Sequence, residues 1–291
     1  TTYNLPLACI LKDTRANKNN MKKTKQDIDY NNIEFEYVDT IPVAFCRPNK
    51  EKSNNSIAIW LPYLGGDKET GAKELQKLAS RGYFAISIDP WLHGERKGKL
   101  KKGIRSLVFN QFRTYMWQIL GITTMDVFRV IDWSIDTFNL KDNVVVGGLS
   151  MGGDIAIALA GIDKRVKKVV AIAASPDWNR TGMTDVMDSK KIIEQGNPSN
   201  YGQWLYDKLN PMSNLNSFGK PLKLHIELGE TDTHINPQWT VAFKKALYEN
   251  YPDVDSNVEI VINEGCNHLS LIQRKSIIDN AIDLMTEEIN E

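Results

Sequence analysis

Short runs of apolar residues alternate with longer segments of helical composition along most of the chain. Residues 33–38 and 41–45 come first and predict an antiparallel hairpin or meander. Further apolar runs of strand length follow at residues 57–61, 84–88, 144–146, 168–172, 222–228 and 258–262. Helical segments occur at residues 69–80 and 103–138, after position 150, after position 237 and at the end of the chain. This order predicts an α/β fold, with a mostly parallel central sheet and helices on both faces.

Two stretches depart from this alternation. Residues 1–30 are polar and rich in Lys and Asn, which predicts an N-terminal arm that lies on the domain or is partly disordered. Residues 175–220 lack clean alternation, yet they carry many aromatic and methionine side chains. We interpret them as a cap or lid inserted into a single domain that spans residues 31–291. The alternative is that these apolar residues only stabilise a peripheral pair of helices.

The pentapeptide GLSMG at residues 148–152 lies where an apolar strand is predicted to give way to a helix. A sharp strand-to-helix turn crowds the backbone, so small residues are needed two positions before and two after the central serine, and Gly148 and Gly152 meet that need. The pattern arises by chance in about one chain in ten of this length. The strand and helix around it therefore carry the argument that Ser150 is a nucleophile on an elbow.

A serine hydroxyl needs a neighbouring imidazole to accept its proton. The chain has four histidines, and His268 follows the predicted strand at 258–262 by a short loop and opens the last helix. Functional groups collect at the carboxyl ends of parallel strands, so we predict His268 as the general base. His225 lies inside a strand and is expected to be a packed core residue, and His234 comes too early in the chain for the order serine, acid, histidine.

An acid is needed to orient the imidazole, and two aspartates compete for that role. Asp232 lies in the turn beyond the carboxyl end of the predicted strand at 222–228. Asp177 follows the preceding strand and could reach the same imidazole. We prefer Asp232 because the turn at Gly229 is tight, and we expect Glu230 to brace that turn.

Two preorganised N–H donors are needed to stabilise an oxyanion in a tetrahedral intermediate. The backbone of Met151 is predicted to supply one. The second is expected from the loop after the strand at 57–61, where Tyr63 is preferred and Leu64 comes next. The glycine pair at positions 65 and 66 could equally form an ordinary strand-to-helix turn.

The predicted substrate contacts come from three parts of the chain. His93, which follows the strand at 84–88, could line the pocket or pin its own loop with a hydrogen bond, and we favour the second role. The remaining candidates are side chains of the oxyanion loop and of the predicted cap. The full set of substrate-binding candidates is Leu64, His93, Trp178, Trp204 and Tyr206.

Composition and charge exclude several classes of function. The 36 basic and 36 acidic residues balance, so no global field attracts nucleic acid or an anionic membrane. No apolar run is long enough to predict a membrane span. The three widely spaced cysteines predict neither a disulfide framework nor a zinc site, and they indicate a reducing, cytoplasmic location. Because the chain begins at Thr1, an export signal upstream of it would not be visible.

These residues together resemble α/β-hydrolases of the dienelactone hydrolase and prolyl-oligopeptidase-like esterase group, over about residues 55–290. The segment HGER at residues 93–96 is particularly similar to the corresponding segment of small bacterial carboxylesterases. The resemblance implies a serine esterase that cleaves a small to medium carboxylic ester through an acyl-enzyme, with no metal or organic cofactor. Its partner would be a small-molecule ester, and a homo-oligomer is left open. The supporting segments are GLSMGG at 148–153, PWLHGER at 90–96, MDVFR at 125–129, GETD at 229–232 and His268.

The resemblance leaves alternatives open. Such relatives carry His-Gly before the oxyanion residue, whereas this chain has Leu61 and Pro62. The segment YLGG at 63–66 resembles the loop of acetyl xylan and cephalosporin deacetylases, although their Arg-Gly-Gln motif is absent. An acetyl-ester deacetylase, a thioesterase or acyltransferase, and a small-peptide or amide hydrolase are therefore alternatives. A non-catalytic ligand-binding protein built on the same core is an alternative of another class.

Overall fold

The computed structural model describes residues 30, 32–98 and 103–287, so almost all of the predicted N-terminal arm lies outside the described residues. Within that part of the chain, eight strands form one sheet and two more form a small ribbon. The ribbon strands are β7 (Thr184–Asp185) and β8 (Asp188–Ile192). The sheet strands are β1 (Glu34–Val38), β2 (Ile41–Cys46), β3 (Ile57–Leu61), β4 (Phe84–Ile88), β5 (Val144–Leu149), β6 (Val166–Ile172), β9 (Lys223–Gly229) and β10 (Val258–Asn263).

The sheet is mostly parallel, as predicted. Its order is β1-β2-β4-β3-β5-β6-β9-β10. Strands β1 and β2 form an antiparallel hairpin, and β2 also pairs antiparallel with β4. The remaining neighbours pair in parallel, so the carboxyl ends of β3 to β6, β9 and β10 lie along one edge of the sheet. This is the edge where functional side chains are expected in an open α/β sheet.

Helices cover both faces of the sheet because its central strands are apolar on both sides. Alternate side chains of β3 enter two separate cores: Ile57 and Ile59 face α3 (Phe112–Phe138) and α4 (Met151–Ile162), whereas Ala58 and Trp60 face α1 (Ala72–Ser80) and α8 (Lys275–Thr286). The helices of the described chain are α1 (Ala72–Ser80), α2 (Ile104–Asn110), α3 (Phe112–Phe138), α4 (Met151–Ile162), α5 (Asn200–Leu209), α6 (Pro237–Asn250), α7 (His268–Ile272) and α8 (Lys275–Thr286).

The long helical region predicted at residues 103–138 is divided into α2 and α3. The break lies at Gln111, whose backbone is extended, with φ −156° and ψ 71°. The first N–H groups of α3 donate to carbonyl groups of another segment: Phe112 to Glu194 at 2.9 Å and Arg113 to Gln195 at 2.7 Å. These long-range hydrogen bonds satisfy the N–H groups at the start of a new helix. Because the acceptors are distant in sequence, the local sequence pattern does not reveal this helix start.

Residues 175–220 form the β7-β8 ribbon, helix α5 and short 3₁₀ turns. Helix α5 packs on α3, where the ring of Tyr206 stacks on that of Trp117 at 4.1 Å between centroids. The ribbon was not predicted because its second strand, of sequence DSKKI, is polar and exposed. Two expectations about the 175–220 segment stay predictions. The first is that it acts as a cap or lid over a site, and the second is that it is an insertion in a domain spanning residues 31–291.

Candidate active site

Ser150 occupies a sharp turn between β5 and α4. Its backbone is at φ 51° and ψ −115°, a conformation that costs strain in any residue other than glycine. The flanking glycines are required by close packing: a Cβ on Gly148 would stand 2.5 Å from the carbonyl carbon of Gly152, and one on Gly152 would stand 2.2 Å from the carbonyl oxygen of Leu61. The GLSMG pattern thus follows from the space around this turn.

Three side chains from three strand ends meet in one hydrogen-bonded chain. The Oγ atom of Ser150 lies 3.0 Å from Nε2 of His268, and Nδ1 of His268 lies 2.8 Å from Oδ2 of Asp232. A carboxylate can only accept, so Nδ1 carries the proton and Nε2 is left to accept from the serine hydroxyl. The three residues are only 7%, 5% and 3% exposed, respectively. The arrangement can therefore take a proton from the serine in a largely water-free setting.

Among the described residues, the carboxylate of Asp232 accepts three hydrogen bonds. Its Oδ1 accepts the backbone N–H groups of His234 and Ile235, both at 2.8 Å, while Oδ2 faces His268. The rival aspartate is used differently, since Oδ1 of Asp177 accepts the N–H of Asn179 at 2.8 Å. The structure thus brings Asp232, and not Asp177, into hydrogen-bond contact with the imidazole.

The loop that carries His268 is fixed at both of its ends. The N–H of Thr231 donates to the carbonyl of Cys266 at 3.0 Å, which ties the acid turn to the histidine loop. Glu230 accepts the N–H of Gly265 at 2.9 Å and so braces the turn, as expected. Asn267 caps helix α7 in a reciprocal capping box with Ser270. Helix α7 begins at His268, so the cap fixes the backbone at this residue.

The predicted oxyanion donors lie on two segments that touch. Met151 is the first residue of α4, so its N–H has no acceptor within the helix and points out of the positive end of the helix dipole. Gly152 packs against the carbonyl groups of Leu61 and Pro62. Proline has no N–H, so the N–H of Tyr63 is the first in the loop beyond that contact. It stays a prediction that the backbone N–H groups of Met151 and Tyr63 are the oxyanion donors. Leu64 is the alternative to Tyr63 as the second donor.

A second histidine stands beside His268 and was missed by the sequence reasoning. The ring of His234 lies edge-on to that of His268, with 4.8 Å between centroids, and its Nδ1 donates to the carbonyl of Thr184 at 2.7 Å. Burial, and then electrostatic repulsion by a protonated His268, lower the pKa of His234 well below its usual value, so it is neutral at neutral pH. Its position in the same turn as Asp232 was the available signal.

A buried ion pair lies behind the serine and was also missed. Asp154, one turn along α4, contacts Nη2 of Arg180 at 2.7 Å and accepts the N–H of Ser175 at 2.9 Å. Both charged side chains are almost fully buried. Burial raises the pKa of Asp154, while Arg180 and, more weakly, His268 oppose that shift. The pair links helix α4, which begins directly after Ser150, to the 175–220 segment.

The HGER segment forms a loop held by buried charge. Asp89 accepts the N–H groups of Lys68 and Glu95 at 2.9 and 2.8 Å, and Nζ of Lys68 bridges Asp89 and Glu95 at 3.3 and 2.6 Å. Gly94 has φ +50°, and a Cβ there would stand 2.2 Å from the Asp89 carboxylate. Burial alone would lower the pKa of Lys68, but the hydrogen bond to Glu95 and the charge of Asp89 raise it overall.

The remaining substrate-binding candidates have no hydrogen bond to the serine, acid or histidine among the described residues. Leu64 and Tyr206 are half-buried, and the side chain of Trp204 is exposed. Trp178 is fully buried in the core, so the structure as it stands gives it no surface for a substrate to contact. The backbone of Trp178 is fixed there, since its N–H donates to Oδ1 of Asn210 at 2.9 Å and its carbonyl accepts from Nε1 of Trp117 at 3.0 Å.

Within the described part of the chain, no group of three or more His, Cys, Asp or Glu side chains is arranged to hold a metal ion. Cys46 and Cys266 are buried free thiols there. None of the helices described is both long enough and apolar enough to cross a membrane.

Known proteins are similar to the chain in both sequence and fold. YtaP of Bacillus subtilis (strain 168) is 25% identical over 161 residues, which cover 50% of this chain and 52% of YtaP, so the chain spans about half the length of that relative. TT1662 from Thermus thermophilus has a TM-score of 0.62 at 19% identity, over 88% of this chain and 99% of that one.

Two further solved structures share the fold. Esterase 2 of Thermogutta terrifontis, phosphonylated by sarin, has a TM-score of 0.59 at 13% identity, over 88% of this chain and 94% of that one. The acylaminoacyl peptidase of Pyrococcus horikoshii has a TM-score of 0.57 at 13% identity, over 91% of this chain and 42% of that one. These likenesses confirm the predicted α/β-hydrolase fold.

The prolyl oligopeptidase family matches residues 111–286, more than half of the chain. That range contains the serine turn, the acid turn and the histidine loop described above. The predicted resemblance is confirmed: the chain belongs to the prolyl oligopeptidase family.

Proposed function

We propose that the chain is a serine hydrolase that cleaves a small to medium carboxylic ester through an acyl-enzyme intermediate. The single observation that carries the proposal is the hydrogen-bonded chain from Ser150 through His268 to Asp232. The strained turn at Ser150 and the three hydrogen bonds that Asp232 accepts are what such chemistry requires. Family membership supports the same reaction class.

The reaction proceeds in two halves. Oγ of Ser150 attacks the ester carbonyl carbon while its proton moves to Nε2 of His268, and Asp232 stabilises the imidazolium through Nδ1. The backbone N–H groups of Met151 and Tyr63 hold the oxyanion, each worth a factor of about 10²–10³ in rate. His268 then gives its proton to the leaving alcohol oxygen. A water molecule, deprotonated by His268, attacks the acyl-enzyme and releases the acid and the free serine.

A second candidate, hydrolysis of a small peptide or amide, is favoured by the match to the prolyl oligopeptidase family. Matched substrates separate the two. We expect p-nitrophenyl butyrate to be hydrolysed and butyryl-p-nitroanilide, its amide counterpart, to be turned over far more slowly. The Ser150→Ala variant should lower kcat by about 10³-fold or more on either substrate. An anilide rate equal to or above the ester rate would establish the peptidase instead.

The esterase of Thermogutta terrifontis is phosphonylated by sarin, which suggests covalent labelling as a direct test for a reactive serine. A protein with this fold reacts with sarin, so a fluorophosphonate is a suitable probe for Ser150. If the folded protein neither reacts with the probe nor hydrolyses the esters, the result would favour a non-catalytic ligand-binding protein.

A further inference from the structure

A large cleft lies at the amino ends of the parallel strands, opposite to the edge that carries the candidate active site. Its volume is about 1020 Å³, at the upper end of the range for small-molecule sites in proteins. Ser56 and Asn143 line it directly before β3 and β5, and Lys223 lines it as the first residue of β9. The cleft is therefore framed by several strands of the central sheet.

The length of the strands separates this cleft from the serine turn. Val145 lines the cleft near the start of β5, and Ser150 directly follows the last residue of the same strand. Five residues of extended strand span about 16 Å. A ligand in the cleft would therefore lie at the other end of the strand from Ser150 and would not compete with a substrate there.

Basic side chains outnumber acidic ones around the cleft. The charged residues in its lining, within the described part of the chain, are Arg81, Lys141, Lys167, Lys223 and Glu287. Arg81 is already paired with Asp283, so the three lysines carry the excess of positive charge. The whole chain has equal numbers of basic and acidic residues, and this local excess is therefore not a consequence of its composition.

The three lysines have no carboxylate partner among the described residues. Nζ of Lys167 donates to the carbonyl of Lys164 at 2.9 Å, and Nζ of Lys223 donates to Oδ1 of Asn257 at 3.0 Å. The ammonium group of Lys141 has neither an ion pair nor a hydrogen bond within the same described residues. Uncharged acceptors do not neutralise an ammonium group, so the positive charge of these lysines is left uncompensated.

A ligand in the cleft can reach these charges. The side chains of Lys141, Lys167 and Lys223 are all exposed, and a lysine side chain is a flexible stem that can turn three N–H donors towards an anion. Lys168 pairs in register with Lys223 in the sheet. Burial lowers the pKa of Lys168, the charge of Glu287 opposes that shift, and the charge of Lys223 adds to it. The positive charges at this edge thus repel one another, and a bound anion would relieve the repulsion.

The cleft also offers contacts for an uncharged part of a ligand. Val145, Pro221 and Leu222 contribute to its lining. Asn257 uses its Oδ1 to accept from Lys223, which leaves its Nδ2 group as a hydrogen-bond donor. The volume of the cleft is larger than an inorganic anion requires. These features favour an organic anion.

We infer that the cleft binds an organic phosphate with two or more negative charges, held by Lys141, Lys167 and Lys223. Each phosphate group carries a charge of about −1.5 to −2 near neutral pH and three acceptor oxygens, which suits several ammonium groups better than a single carboxylate does. This binding site is independent of the serine reaction and adds a second ligand to the protein.

Titration calorimetry with ATP, adenosine and citrate tests the site. ATP has phosphate groups and an uncharged part, adenosine lacks the phosphates, and citrate carries its charge on carboxylates. We expect ATP to bind about tenfold or more tightly than either of the other two, since one hydrogen bond to a charged group is worth about that factor. The affinity for ATP should fall when NaCl is raised from about 50 to about 200 mM, because salt screens exposed charges.

Substitutions at exposed lysines identify the groups responsible. Lys141→Gln and Lys223→Gln each remove one charge from the cleft and should each weaken ATP binding by about three- to tenfold. Lys208→Gln removes the same charge from an exposed position on α5, outside the cleft lining, and should leave the affinity unchanged. Ser150→Ala should also bind ATP as the unmodified protein does, which separates this site from the proposed function.

Three results would overturn the site. The first is that ATP does not bind, and the second is that adenosine or citrate binds as tightly as ATP. The third is an equal loss of affinity in all three lysine variants, because the net charge of the protein and not the cleft would then be responsible. A protein that hydrolyses no ester but binds ATP in a manner sensitive to Lys141 and Lys223 would support the site while contradicting the proposed function.

Discussion

The ring of His234 lies edge-on against the ring of His268, with their centroids 4.8 Å apart. His234 also contacts the ring of Phe109 and donates to the carbonyl of Thr184. The neutral ring therefore forms one wall of the space in which His268 must keep its orientation. His268 is held by this ring contact as well as by its two hydrogen bonds.

Replacing His234 tests whether ring contact or polarity matters. His234→Ala removes the wall, and we expect kcat to fall by about tenfold, equivalent to about 1.4 kcal/mol, because His268 keeps both hydrogen bonds. His234→Phe keeps a ring of similar size and should retain most of the activity. Steady-state kinetics, with thermal unfolding as a check on folding, compares the two. Equal losses in both variants would mean that the bond to Thr184 matters instead.

The two rival aspartates provide a matched pair. Asp232→Asn keeps the shape of the side chain but removes the charge that selects the His268 tautomer, so we expect kcat to fall by about 10³–10⁴-fold. Asp177→Asn serves as the control, since Asp177 bonds to the backbone of Asn179 and not to the imidazole. It should stay within a few-fold of the unmodified protein. A larger loss in the Asp177 variant would reverse the assignment of the acid.

Adding a methyl group at Gly94, the glycine of the HGER segment, should destabilise the protein. Gly94→Ala meets the Asp89 carboxylate in a left-handed backbone, and the strain and the clash together predict a loss of about 2–5 kcal/mol in unfolding free energy. Gly265→Ala has a similar φ of +64° but nothing within 4 Å, so it should lose only about 1–2 kcal/mol. Urea unfolding measures both. Equal losses of unfolding free energy in the two variants would show that the close packing of Gly94 against the Asp89 carboxylate does not matter for stability.

The pH dependence of stability can be traced to His225. Burial alone would lower the pKa of His225, but its hydrogen bonds to Glu227 and then Glu259 outweigh that effect and raise the pKa. A raised folded-state pKa gives stability that is fully present below the unfolded value of about 6.5 and is lost as pH rises through the folded value. His225→Gln should therefore destabilise the protein most near pH 6 and least near pH 9. A Tm difference that grows with pH would contradict this.

The features that sequence could predict are those set by local packing or by chain order. The strands and the elbow follow from apolar runs and from the space around Ser150, which admits only glycine at positions 148 and 152. Asp232 and His268 could be selected because each follows a strand on the same edge of the sheet. In the structure His268 bonds to both Ser150 and Asp232, so the three side chains form one hydrogen-bonded chain.

The features that sequence could not predict depend on contacts between distant segments. The break at Gln111 is made by carbonyl groups of the 175–220 segment. The exposed strand β8 has no apolar alternation to reveal it. The Asp154–Arg180 pair joins a core helix to a loop, and Trp178, which composition alone suggested as a substrate contact, is buried and bonds to Asn210 and Trp117.

The proposed reaction requires Ser150 to be an activated nucleophile. The most direct test is to incubate the folded protein with a fluorophosphonate probe and to locate the adduct by mass spectrometry, with Ser150→Ala and His268→Ala as controls. We expect one adduct on Ser150, none in the serine variant and much slower labelling in the histidine variant. Labelling at another residue, or equal labelling of Ser150 without His268, would contradict it.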